Sequence, residues 1–131
     1  MKIEDLINIK KLDIETEIKE AIEDTKDELS NLTTETTCMI YSDYLSRNLT
    51  KRHVINRVVS TSDYNLPYYH QFNIVPGKDN KLYLIDLTFP QFQVSTLDEL
   101  TKKGYMLVDT DTYGKYLDIV GNVNKEKEKQ H

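Results

Sequence analysis

Cysteine is almost absent from this chain of 131 residues, which has a single one, Cys38. A single cysteine cannot form an internal disulfide, and it cannot supply the several thiolates of a cysteine-based metal site. Glycine is also scarce, with four residues, and it occurs in neither a Gly-rich phosphate loop nor a Gly-x-Ser-x-Gly elbow. No stretch approaches the roughly 20 apolar residues of a membrane-spanning helix, so we expect no membrane span.

Positive charge is limited as well. The 17 Lys and Arg residues are outnumbered by 22 Asp and Glu residues, for a net charge of −5. Binding to a phosphate backbone depends on clustered Lys and Arg, so a nucleic-acid partner is not expected. The three histidines are scattered without the close spacing of metal ligands, and we predict neither a metal nor a cofactor.

The N-terminus lacks the apolar core of a signal peptide. We therefore expect the protein to be cytoplasmic, or exported without a cleavable signal as a secreted effector would be. The length predicts one domain over residues 1–131, with 1–13 as an arm and 125–131 as a frayed charged tail. The oligomeric state cannot be inferred from these features.

Helical spacing of apolar residues predicts one amphipathic helix over 14–29. A second helix is predicted to begin at Cys38, with Thr36 or Thr37 as its N-cap. Its inward stripe is predicted to contain Cys38, Tyr41, Ser42, Leu45 and Leu49.

Strand patterns occur at 54–59 and 105–108, and two alternating segments, 69–75 and 81–88, flank a turn. A short helix is predicted from about Thr96 to a stop at Gly104, and a last helix over 110–120. The order of these elements predicts an α+β domain, with N-terminal helices packed on a small antiparallel sheet.

The two alternating segments bring His70 and Asp86 together. If the hairpin is centred on Lys78, these residues are direct cross-strand partners on one face, with Cβ atoms roughly 4.5–5.5 Å apart. Asp86 stands in an otherwise apolar strand, where a carboxylate is costly unless it is paired. The imidazole of His70 is its predicted partner, in a catalytic pair or in a purely structural one.

Cys38 has two readings of its own. Cysteine often serves only as a small buried hydrophobic residue. At a helix N-terminus, however, free N–H groups and the helix dipole lower a thiol pKa and can hold the oxyanion of a tetrahedral intermediate. Together with a His–Asp pair, this placement predicts acyl transfer by a cysteine nucleophile.

Three features resemble the papain-like, transglutaminase-like superfamily: Cys38 opening a helix, the run Tyr69-His70-Gln71-Phe72, and the run from Leu84 to Phe92 with its Asp-x-Thr-aromatic-x-Gln-Phe pattern. The similarity is greatest to bacterial effector-type glutamine deamidases and thiol peptidases, and it covers residues 38–92. It implies a minimal papain-like fold, with Cys38 as nucleophile, His70 as general base and acid, and Asp86 as the group that orients His70.

The chain departs from that pattern in two respects. It lacks the Gly before the Cys, and it lacks the upstream Gln that papain-type enzymes place in the oxyanion hole. Asn31 and Gln91 are the candidates to replace that Gln. The expected substrate is a protein or peptide amide. Glutamine deamidation is favoured, with peptidase and transglutaminase activity as alternatives on the same triad. The contrasting hypothesis is a non-enzymatic interaction protein that uses its acidic helix and exposed tyrosines.

Overall fold

The structure is a computed structural model that describes residues 13–31 and 38–122. The N-cap predicted at Thr36 or Thr37 and the tail over 125–131 lie outside the described residues. So does the predicted arm, except for Asp13. Asp13 is instead the N-cap of the first helix, since its carboxylate accepts a hydrogen bond from the Glu15 N–H at 3.1 Å.

Four α-helices and four strands occur within the described residues. The helices are α1 (Ile14–Glu28), α2 (Cys38–Lys51), α3 (Asp98–Lys103) and α4 (Thr110–Asn122). The strands are β1 (Arg57–Ser60), β2 (Gln71–Pro76), β3 (Leu82–Ile85) and β4 (Tyr105–Val108), in the sheet order β1-β2-β3-β4 with every pair antiparallel. The predicted α+β class is confirmed, with the N-terminal helices packed on an antiparallel sheet.

The sheet separates two hydrophobic cores, as the alternation of side chains along each strand requires. Val75 and Ile85 pack with α1 and α2 on one face. Phe72 and Leu84 pack with α4 on the other face. The inward stripe predicted for α2 is buried apart from Cys38, which is half-buried.

The predicted hairpin register is wrong by two residues. Val75 lies opposite Tyr83, so the turn is centred on Asp79 rather than on Lys78. The shift has a local cause, because Asp79 and Asn80 both adopt left-handed conformations, with φ of 58° and 62°. Asp and Asn tolerate this region better than most residues.

Several strand boundaries also differ from the prediction. β1 begins at Arg57 rather than at 54, although Val54 is buried in the core beside α2. β2 begins at Gln71 and β3 ends at Ile85, so His70 and Asp86 lie just beyond the paired strands. Gly104 ends α3 with a φ of 84°, as predicted from its position.

The acidic face of α1 is partly neutralised by α2. The guanidinium of Arg52 lies 3.2 Å from Glu17, 2.5 Å from Glu20 and 3.0 Å from Asp24. These ion pairs link the residue that follows α2 to the side of α1. In the described part of the chain, no helix combines the length and apolar character needed to cross a membrane.

Candidate active site

Cys38 is the first residue of α2, so its side chain lies beside the backbone N–H groups that a helix leaves without intrahelical partners. The Cys38 thiol lies close enough to the side chain of His70 and to the backbone N–H of Gln71 for both to lower its pKa. The structure therefore brings the predicted nucleophile and the predicted base together.

His70 and Asp86 form a buried pair. His70 Nε2 and Asp86 Oδ2 are 2.7 Å apart, and each side chain is 1% exposed. Because Asp86 engages Nε2, Nδ1 is the ring nitrogen left for Cys38. The ring of Phe92 stands edge-on against the imidazole, with 4.8 Å between centroids, and helps to fix the ring plane.

The carboxylate of Asp86 is fully satisfied. Oδ2 accepts hydrogen bonds from His70 and from the Tyr116 hydroxyl, the latter at 2.7 Å. Oδ1 accepts two more, from the backbone N–H and the hydroxyl of Thr88, both at 3.1 Å. A buried carboxylate is tolerated only with such partners, and these four also fix its orientation.

The electrostatics of the site favour a charged Cys–His pair. Burial alone raises the pKa of the Cys38 thiol, but the bonds from His70 and Gln71 and the charge of His70 outweigh burial, so this pKa is lowered. Burial alone lowers the pKa of His70, yet the charge and hydrogen bond of Asp86, together with Cys38, raise it to about 9. Both shifts favour a thiolate beside an imidazolium.

A polar network anchors the first turn of α2 to β2. The amide nitrogen of Gln71 donates to Ser42 Oγ at 2.6 Å and to Asp43 at 3.2 Å, and Asn73 donates to the Ser42 carbonyl at 2.9 Å. The Ser42 hydroxyl in turn donates to the Cys38 carbonyl at 2.8 Å. These bonds fix the helix start relative to the strand that leads from His70.

Sequence reasoning did not identify Gln71, Asn73 or Tyr116 as part of this arrangement. The sequence contains a signal for Gln71 and Asn73. They are polar residues that alternate with the apolar Phe72 and Ile74 along a strand, and they lie on the strand face that α2 covers. For Tyr116 the only signal was a large aromatic residue with a hydroxyl in a helix, and such a hydroxyl needs a partner when buried.

The predicted oxyanion side chains, Asn31 and Gln91, lie on two different elements. A small cleft beside Cys38 is lined by α2, β2 and residues 85–88, and neither Asn31 nor Gln91 lines it. Asn31 is exposed in the turn after α1, and Gln91 lies in the 3₁₀ helix Phe89–Phe92. Their proposed role stays a prediction. No group of three or more His, Cys, Asp or Glu residues is placed to hold a metal ion within 13–31 and 38–122.

Comparison with protein-family models gives no match to this chain, and comparisons with curated proteins and with solved structures give none either.

Proposed function

We propose that this protein is a cysteine-dependent amide hydrolase of the papain-like, transglutaminase-like superfamily. The proposal depends on one observation above all: Cys38 opens a helix close enough to His70 for each to shift the pKa of the other, and His70 is itself held by a buried Asp86. The nucleophile, the base and the orienting acid thus lie next to one another in that order, as cysteine-based acyl transfer requires.

The first half of the proposed reaction forms a thioester. The Cys38 thiolate attacks the carbonyl carbon of the amide, and the carbonyl oxygen becomes an oxyanion. The N–H groups at the start of α2 are the donors best placed to stabilise that charge. His70 gives its proton to the amide nitrogen, the C–N bond breaks, and ammonia or an amine leaves. Asp86 keeps the imidazole in the required orientation throughout.

The second half of the reaction releases the product. Neutral His70 takes a proton from water, and the resulting hydroxide adds to the thioester carbonyl. Collapse of this intermediate breaks the C–S bond, gives a carboxylic acid and restores the Cys38 thiolate beside protonated His70. An amine in place of water would instead form a new amide, which is the transglutaminase alternative.

Among the hydrolytic outcomes we favour deamidation of a glutamine side chain over cleavage of a peptide bond. The support is the resemblance of residues 86–92 to the corresponding run of glutamine deamidases. In this fold the run also positions His70 and Asp86, because the Thr88 N–H donates a hydrogen bond to Asp86 and Phe92 packs on His70. The similarity to bacterial effectors also makes export a part of the proposal.

Mass spectrometry of glutamine-containing proteins after incubation tests the proposal. The mass gain of an amide converted to an acid marks deamidation, a new chain terminus marks proteolysis, and an amine adduct marks transglutamination. Cys38→Ser is the control, since it removes the thiol with little change in volume. If the wild-type protein gives none of these products with a broad panel of proteins, the hydrolase proposal loses its support.

The non-enzymatic alternative, an interaction protein, is tested by thiol chemistry that needs no substrate. An activated Cys38 should react with iodoacetamide well below the ordinary thiol pKa of ~8.5, and His70→Ala should move the reactivity curve up towards that value. A structural cysteine would give one simple curve that the His70 substitution leaves unchanged. Two macroscopic pKa values are expected for the wild-type pair, since the groups titrate together.

A further inference from the structure

Tyr116 is, after His70, the second titratable side chain that hydrogen-bonds the Asp86 carboxylate, and it comes from α4, on the face of the sheet opposite α2. It is fully buried in α4, and its hydroxyl donates to Oδ2, the same oxygen that holds His70. Its ring packs edge-on against Phe72, with 4.9 Å between centroids, and lies 5.8 Å from Phe89. This aromatic packing already positions the ring, so the hydrogen bond of the hydroxyl to Asp86 is not needed for that purpose.

We propose that Tyr116 is a positioning residue that tunes the charge of the His70–Asp86 pair: by sharing Oδ2 with His70, it weakens the hold of Asp86 on the imidazolium and lets His70 release its proton within the working pH range. This inference rests on the proposed function, because it concerns the same triad. It adds a residue that neither the sequence pattern nor the resemblance implies.

The direction of the effect follows from the hydrogen bonds around Asp86. A donor to a carboxylate stabilises its negative charge and so reduces its attraction for a second proton donor. Removing the Tyr116 hydroxyl leaves Oδ2 with His70 alone. The two bonds from Thr88 to Oδ1 persist, so the carboxylate keeps its orientation and holds the imidazolium more strongly.

The other titratable groups near the pair can be named from each packed element. Cys38 on α2 lies beside His70. Tyr68, in the segment before β2, has a pKa that is raised by burial and, to a smaller extent, by the charge of Cys38. Tyr113 on α4 acts on Tyr116. Burial and the charge of Asp86 hold the pKa of Tyr116 well above its ordinary value, so its hydroxyl stays a donor.

The test is a histidine NMR titration of the full chain, with His70→Ala used to assign the resonance. Tyr116→Phe removes one hydroxyl and keeps the ring. Its matched control is Tyr113→Phe on the same helix, which removes a hydroxyl that bonds Tyr64 at 2.7 Å rather than Asp86. We expect Tyr116→Phe to raise the titration midpoint of His70 by roughly half a pH unit or more, and Tyr113→Phe to leave it in place.

Each outcome decides the inference. An unchanged or lowered midpoint in Tyr116→Phe would overturn it, as would an equal rise in Tyr113→Phe, since a merely structural tyrosine would not move this midpoint selectively. Failure of the proposed function looks different: the His70 midpoint, raised by Asp86 alone, would be unchanged by Cys38→Ser. A midpoint that is insensitive to Cys38→Ser thus sinks the hydrolase proposal, and a Cys38-sensitive midpoint with no Tyr116 effect sinks only this inference.

Discussion

The charge state of the Cys38–His70 pair predicts an unusual dependence of stability on pH, which can be measured without a substrate. For His70 the folded pKa of about 9 exceeds the unfolded value of ~6.5, so its contribution is fully present below ~6.5 and is lost as the pH rises through about 9. Taken alone, that contribution is at most roughly 3 kcal/mol, with a limiting slope of about 1.4 kcal/mol per pH unit. His70 is almost fully buried, so solvent screening reduces this figure little.

The contribution of Cys38 to folding stability depends on pH in the opposite direction. Its folded pKa is lowered, so its contribution is present above the unfolded thiol value of ~8.5 and is lost as the pH falls through the folded value. As the pH rises from about 6.5 to 8.5, the folded protein keeps the proton on His70 longer than the unfolded chain does and loses the proton of Cys38 earlier. The two effects oppose each other, so we expect stability to fall less over that range than His70 alone would make it fall.

In Cys38→Ser, the pH dependence of stability that His70 causes should be measurable without the opposing contribution of Cys38. The serine cannot supply a thiolate, while Asp86 still raises the pKa of His70, so the variant should lose up to roughly 2 kcal/mol between pH ~6.5 and ~8.5. Urea unfolding followed by circular dichroism at both pH values measures the difference. His70→Ala is the control and should show no such loss. A wild-type protein that loses as much stability as Cys38→Ser over this range would mean that Cys38 is a neutral thiol. A flat Cys38→Ser variant would mean that Asp86 does not keep His70 charged.

Four further substitutions test the geometry. His70→Ala should reduce turnover as far as loss of the nucleophile does, because the triad acts as a unit; partial activity in the mass assay would contradict this. Asp86→Asn should cost ~10³–10⁴-fold in rate through the wrong tautomer, and roughly 1–3 kcal/mol in unfolding free energy by placing an amide among four donors. Gln71→Ala should lower kcat ~10–100-fold with little change in KM, since it loosens the start of α2; a pure KM effect would refute the positioning role. Gly121→Ala should destabilise the fold by ~1–3 kcal/mol, because its Cβ would lie 2.5 Å from Leu66, while the alkylation curve stays unchanged.

The helices and the sheet were predictable because local periodicity determines which residues each element buries. The stripe from Tyr41 to Leu49 and the stop at Gly104 needed only spacing and glycine chemistry. The hairpin register was not predictable in this way. It depends on which turn residues accept a positive φ, and Asp79 and Asn80 do so here, although Gly77 was the more obvious candidate.

The His70–Asp86 contact survived the register error for a physical reason. A shift of two residues leaves every side chain on its original face, whereas a shift of one would have separated the pair. The two side chains therefore meet diagonally, just beyond the last paired residues of β2 and β3. The prediction of the pair depended on face and polarity rather than on the exact partner.

The supporting network could not be found from local patterns, because its partners are far apart in the chain. Gln71 and Ser42 are 29 residues apart, and Tyr116 and Asp86 are 30 apart. Periodicity shows that a polar residue is buried, but the identity of its partner depends on how the layers pack. Such contacts become visible only when the tertiary structure is known.

The candidate site lies where the two cores meet, and this has a consequence for how it is held together. Cys38 is positioned from the α1–α2 face through Ser42, whereas Asp86 is positioned from the α4 face through Tyr116. His70 joins them at the end of the sheet, so its alignment depends on both layers packing correctly. Because Cys38 and Asp86 are held by different cores, changes in either core can disturb the Cys38–His70 pair, even when they lie far from Cys38 itself.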